Sequence, residues 1–208
     1  MKKYALMLGG LALGLGTCVG PATADTEPVH SPIRTITPSI SLLSLAEAAQ
    51  KKINVEAQMA AHAAIAEAER LKRQQQIDHN VAQVTAVLNK LESRVGRTYY
   101  VFSGSQPSGW DCSGLVRWAY GELGIELEHR ASKQQHAGAS VESPLPGDIV
   151  VFTYNGKKSA YHTGIYLGNG KMIHAGGGKG DTTEIATISK FAGNHSTVTF
   201  RRLIETTL

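Results

Sequence analysis

With 208 residues, 42% of them hydrophobic, the chain can bury the core of one ordinary domain and still carry further segments. Its formal charge of +4 is concentrated at the start: without Lys2 and Lys3, 19 basic residues stand against 17 acidic ones. That near-balance, with no basic run interleaved with aromatics, gives no footing to a nucleic-acid-binding role.

Residues 1–24 read as a secretory signal: Lys2-Lys3, an uncharged stretch from Tyr4, then Ala22-Thr23-Ala24 before Asp25. The expected location is outside the cell or at its wall. Two alternatives stand beside it. One is an uncleaved membrane anchor, although Gly9, Gly10, Gly14 and Gly16 interrupt a stretch barely long enough to span. The other is a lipid on Cys18, which Thr17 precedes poorly. With residues 1–24 removed, Cys112 is the one cysteine left, so no disulfide can form within the chain. An exported protein that keeps a single thiol needs a use for it, a plain buried or intermolecularly paired cysteine being the bland alternative.

Residues 25–40, with Pro28, Pro32 and Pro38, read as a linker. From Ser41 to Val95 there is neither Gly nor Pro, and residues 46–68 hold ten alanines. Ser44 and Glu47 form a potential capping box, predicting a long helix from about Leu45. Residues 41–80 are read as a helical stalk or coiled-coil segment, either a solvated spacer or a surface for a protein partner. Asn80 with Gln83 offers a second cap, so a break near residues 78–80 is expected. From Ile77 the apolar pattern sharpens through Val81, Val84, Leu88, Leu91 and Val95, and 81–208 is read as the globular domain.

Beyond Gly96 a helix, Cys112 to Leu123, precedes short β-branched runs at Asp148–Phe152, Thr163–Leu167, Lys171–His174 and Thr197–Arg201. Helices followed by a run of strands predict an α+β domain with a central antiparallel sheet. Asp111 is a good N-cap, and Cys112, Leu115, Val116, Ala119 and Leu123 share one helical face. The thiol therefore sits in the first turn, where free amides and the helix dipole favour a thiolate.

A thiolate nucleophile needs an imidazole partner. His162 to His174 reads as a β-hairpin, and its register decides whether the two histidines meet. A three-residue Gly168-Asn169-Gly170 loop sets His174 opposite Gly164 with His162 as its diagonal neighbour, and gathers Ile165, Leu167 and Ile173 on the other face. A two-residue Asn169-Gly170 turn would put the histidines on opposite faces and mix Ile173 with His162. The segregation of apolar residues favours the first register. Cys112 is then the candidate nucleophile, His162 the base and His174 the group that orients it. No His-x-His pair or second cysteine in the processed chain suggests a metal, and no cofactor is expected.

The stretch Gly109-Trp110-Asp111-Cys112-Ser113-Gly114-Leu115-Val116 resembles the G-F-D-C-S-G-L-V nucleophile motif of the NlpC/P60 cysteine peptidases. Pro146-Gly147-Asp148-Ile149-Val150 is similar to their P-G-D-L-V. His162 through Ala175 resembles their H-V-G-I-Y-x-G-x-G-x-x-I-H-A, and Arg130-Ala131-Ser132 with Gln135 their R-x-S-x-x-Q. The resemblance, over about residues 81–205, implies a papain-like α+β fold. It also implies cleavage of peptidoglycan stem peptides, usually between D-glutamate and the diamino acid. It assigns Cys112, His162 and His174 as catalytic, and Tyr100 as the tyrosine of Y-x-x-G-G near the nucleophile. Tyr100, with Ser113 and Asp111 beside the thiol, forms the candidate oxyanion or substrate-positioning group. Ser103 stands where that motif has its first glycine. Other readings of the same scaffold are an N-acetylmuramoyl-L-alanine amidase and a non-catalytic wall-binding protein.

Overall fold

The computed structural model describes residues 41–176 and 181–207, so the expected export signal, Cys18 and the linker lie outside the described residues. The chain divides into two units, Met1–Gln50 and Lys51–Leu208. In the first, the described residues are Ser41 and the opening turns of helix α1 (Leu42–Glu92), all of them exposed. Ser41, not Ser44, starts this helix: its Oγ accepts the Leu43 N–H at 3.3 Å, while the Ser44 hydroxyl donates back to the Ser41 carbonyl.

α1 runs without the break expected at residues 78–80. Asn80 caps nothing. Its side-chain amide donates instead to the Glu205 carbonyl at 2.8 Å, and Arg73 reaches the Glu205 carboxylate at 2.8 Å. The buried stripe of α1 is Ile77, Val84, Val87 and Leu91, so Val87 takes the place expected for Val81, which is 42% exposed.

The remaining elements follow in order: β1 (Ser105–Gln106), β2 (Gly109–Trp110), α2 (Cys112–Glu122), α3 (Ala131–Gln134), β3 (Ala139–Val141), β4 (Ile149–Tyr154), β5 (Ala160–Gly168), β6 (Lys171–Ala175), β7 (Thr183–Thr187), α4 (Ile188–Ala192) and β8 (Ser196–Arg202). The main sheet runs β3-β8-β4-β5-β6-β7, every neighbouring pair antiparallel. Together with its helices this is the papain-like α+β fold.

One face of the sheet presents Ile149, Val151, Ile165 and Ile173 to Leu115, Val116, Ala119 and Tyr120 of α2 and to Val87 and Leu91 of α1. The other presents Val150, Phe152 and Met172 to Ile188 and Ala192 of α4. Strand β4 is covered on both faces, which is why its sequence Ile149-Val150-Val151-Phe152 is continuously apolar. Asp148, at its entry, accepts from the Leu145 amide at 2.7 Å and from two nitrogens of Arg202 at 3.0 and 2.7 Å, tying β4 to the end of β8. The Pro-Gly-Asp motif is thus a structural clamp.

The β5–β6 hairpin keeps the expected facing of its histidines but corrects the three-residue loop expected at its tip. Asn169 (φ 51°) and Gly170 (φ 68°) form a two-residue left-handed turn between paired Gly168 and Lys171. An irregularity between Tyr166 and Gly168 then shifts the register, so that Tyr166 pairs with Met172 and Ile165 with Ile173. Both histidines end on one face, as the apolar segregation demanded.

Candidate active site

The site forms where the first turn of α2 meets β5. Asp111 is the N-cap: its Oδ1 accepts the Gly114 amide at 2.7 Å, the Ser113 hydroxyl at 2.9 Å and His129 Nε2 at 2.9 Å. Its Oδ2 accepts the Ser103 amide at 3.1 Å. That last bond explains the departure from Y-x-x-G-G. Ser103 holds the glycine-like φ of 60°, at a cost of about 1 kcal/mol, and its N–H is secured by the cap.

Gly114 lies inside α2, where alanine is ordinarily better by about 1 kcal/mol. Here a Cβ would run into the Gly104 carbonyl, which accepts the Asp111 amide at 3.0 Å, and would lie 2.9 Å from His129 Nε2. Gly114→Ala should therefore destabilise the domain by about 2–3 kcal/mol. Calorimetry should show a lowered Tm, and an unchanged or raised Tm would contradict the packing described.

The Cys112 sulfur meets the backbone amides of Thr163, Ser113 and Cys112 itself. These amides favour a thiolate, as the helix position predicts. Burial acts more strongly in the opposite direction, and the Asp111 charge adds to it, so the thiol is pushed up rather than down. The preference for a thiolate that the helix position confers is thus present but outweighed by burial.

His162, the residue before Thr163, is buried, with Nε2 3.1 Å from Nδ1 of the fully buried His174 and the two rings nearly perpendicular. Phe152 and Phe191 wall the pair, Phe191 lying 4.7 Å from the His162 ring and 4.8 Å from His174. Burial in this aromatic pocket holds His162 well below the ordinary imidazole range, and the neighbouring His174 pushes the same way, with Asp111 opposing. Burial likewise lowers His174. Both imidazoles are therefore held towards the neutral form, and Nδ1 is the ring nitrogen of His162 that His174 does not engage.

Tyr100 is held by its amide to the Asp181 carbonyl at 2.8 Å and bridges to Trp110. Burial raises its hydroxyl's pKa, and the charges of Cys112 and Asp111 raise it further. Tyr99, by contrast, is 61% exposed. Ser113 is buried, its hydroxyl engaged by Asp111 and its amide directed at the sulfur. Among the described residues no cluster of three or more His, Cys, Asp or Glu could hold a metal ion.

Sequence reasoning missed three contributors. His129 showed no partner spacing, yet it bonds Asp111. Gln134 is 1% exposed and donates to the Ser113 and Glu128 carbonyls at 2.8 and 2.9 Å while accepting the Thr163 hydroxyl at 3.0 Å. It thereby fastens the start of α2 to β5. Its neighbour Gln135, the residue of R-x-S-x-x-Q, accepts the Ala160 amide at 2.8 Å. Phe191 arrives from α4, a helix too short to show a period.

A cysteine at the start of a helix, packed on an antiparallel sheet that carries a histidine pair, defines a papain-like α+β domain. Residues 96–202, about half the chain, match the NlpC/P60 family model, and the chain belongs to that family. It is 42% identical over 93 residues to the probable endopeptidase Rv2190c of Mycobacterium tuberculosis, a match covering 44% of this chain and 23% of the relative. It is 33% identical over 158 residues to the murein DD-endopeptidase MepH of Escherichia coli, covering 73% of this chain and 55% of MepH. The chain thus spans only part of the length of these relatives. Among solved structures, NlpC2 of Trichomonas vaginalis superposes with a TM-score of 0.52 at 30% identity, covering 59% of this chain and 47% of that one. An NlpC/P60 family protein of Bacillus cereus gives 0.53 at 26% identity, covering 59% and 40%.

Proposed function

We propose that this protein is an exported peptidoglycan endopeptidase that cleaves stem peptides through Cys112. The observation that carries the reading is the buried His162–His174 pair, carried on the strand whose Thr163 amide acts on the Cys112 thiol. As the sulfur attacks the scissile carbonyl carbon, its proton passes to His162 Nδ1. The tetrahedral oxyanion is stabilised by amides at the start of α2, with the Tyr100 hydroxyl at hand. His162 then gives the proton to the leaving amine as the C–N bond breaks, leaving a thioester. Water attacks that thioester, its proton passes to His162, and the thiol returns as the C–S bond breaks. His174 holds the imidazole in place throughout. The signal read in residues 1–24 suits a substrate outside the cytoplasmic membrane.

The bond we favour joins D-glutamate to the diamino acid. The names of two matched relatives of Bacillus subtilis support it: a bifunctional muramidase/DL-endopeptidase and a gamma-DL-glutamyl hydrolase, each 42% identical over its aligned stretch. The longer alignment with MepH favours a second reading, cleavage of DD cross-links. Digestion of purified sacculi by the full chain, followed by mass spectrometry, separates them. The DL reading predicts muropeptides shortened to dipeptide stems and released fragments that begin with the diamino acid. Cross-linked dimers collapsing to monomers with intact stems would replace it by the DD reading. Free stems beginning with L-alanine would indicate an amidase, and no release of any fragment would sink the hydrolase.

A further inference from the structure

The histidine pair poses a question of proton placement that its own two residues do not answer. For His162 Nδ1 to accept a thiol proton, His162 must carry its hydrogen on Nε2 and donate it to His174 Nδ1 across the 3.1 Å contact. His174 must therefore keep Nδ1 bare and hold its own hydrogen on Nε2. A local competitor opposes this arrangement: the Ala175 carbonyl lies 3.3 Å from His174 Nδ1 and would reward a hydrogen there. His174 Nε2 is buried and, among the described residues, has no hydrogen-bond partner.

One group answers that need. Glu184 is the cross-strand partner of His174 in the β6–β7 ladder, so the two side chains share a face. Its Oε1 lies 3.3 Å from His174 Nε2, near enough for strong attraction though off the angle of a hydrogen bond. The carboxylate is 56% exposed, whereas His174 is wholly buried. The titratable groups facing His174 are His162 from β5 and Glu184 from β7, while α4 presents the uncharged ring of Phe191. Asp111 and Cys112 act only beyond His162.

We propose that Glu184 is a positioning residue that keeps the His174 hydrogen on Nε2, so that His174 Nδ1 accepts from His162 and His162 offers its bare Nδ1 to the thiol. This rests on the proposed role of Cys112 and His162, and it extends the relay by one residue to the sheet edge. The charge of Glu184 also raises His174 against the lowering that burial imposes.

The test uses the full chain labelled with 15N-histidine, where long-range proton–nitrogen correlation reports which ring nitrogen carries hydrogen, and His174→Gln assigns the signals. Wild type should show His174 protonated on Nε2. Glu184→Ala should shift the hydrogen towards Nδ1, and Glu184→Gln, which retains an acceptor, should keep it on Nε2. Alkylation of Cys112 by iodoacetamide, followed across pH, should slow about fivefold in Glu184→Ala and much less in Glu184→Gln. An unchanged tautomer in Glu184→Ala would overturn the proposal, as would equal slowing in both variants at unchanged Tm. Neither readout needs peptidoglycan. A wild-type thiol no more reactive than an ordinary cysteine would count against the nucleophile reading alone, since the tautomer measurement stands without it.

Discussion

Replacing His162 by alanine should lower kcat/KM on purified muropeptides by about a thousandfold or more, because the thiol then has no base. The pH profile carries the finer expectation. Activity needs one proton shared between Cys112 and His162, so a second proton at low pH and the loss of that proton at high pH both abolish it. Burial and the neighbouring His174 lower the imidazole, so the acid limb should lie below its ordinary value of 6.5. Burial and Asp111 raise the thiol, so the alkaline limb should lie above its ordinary 9.0. The wild type should thus show a broad plateau over neutral pH, and the acid limb should vanish in His162→Ala. An acid limb centred above pH 6.5 would contradict the neutral, buried pair.

Cys112→Ala should be at least as damaging, with a loss of about ten-thousandfold in fragment release, because no other group in the site can form the acyl intermediate. The fold should survive. Cys112 is only partly buried, alanine is a strong helix former, and the cap bonds of Asp111 are to other residues. The Tm should stay within a few degrees of wild type, which separates lost chemistry from lost structure. Cys112→Ser should recover little, since His162 lies far too low to draw a proton from an alcohol.

Much of the site was legible because its signals were local. The face Leu115, Val116 and Ala119 declared the buried side of α2, and Asp111 its start. The alternation of apolar residues in β5 and β6 declared a register in which His162 and His174 meet, even though the turn that produces it was the two-residue one compensated by a bulge. What was not legible depends on distance or environment. His129 and Gln134 act on residues 18 and 21 positions away, which no spacing rule connects. The upward push on the thiol follows from burial, which outweighs the helix terminus that the sequence displays. Strands β3 and β7 at the sheet edges and the short α4 carry too few residues for a period. In α1 the local capping logic of Asn80 and Gln83 was overridden by tertiary contact: Asn80 is engaged by Glu205, and the helix passes straight through.

That Cys112 is the nucleophile can be tested most directly by partial alkylation of the full chain with iodoacetamide. Mapping the modified cysteine by peptide mass spectrometry while assaying the same samples on sacculi relates thiol to activity. Residual activity should fall in direct proportion to modified Cys112 and reach zero when modification is complete. A preparation fully alkylated at Cys112 that still releases stem-peptide fragments would contradict it.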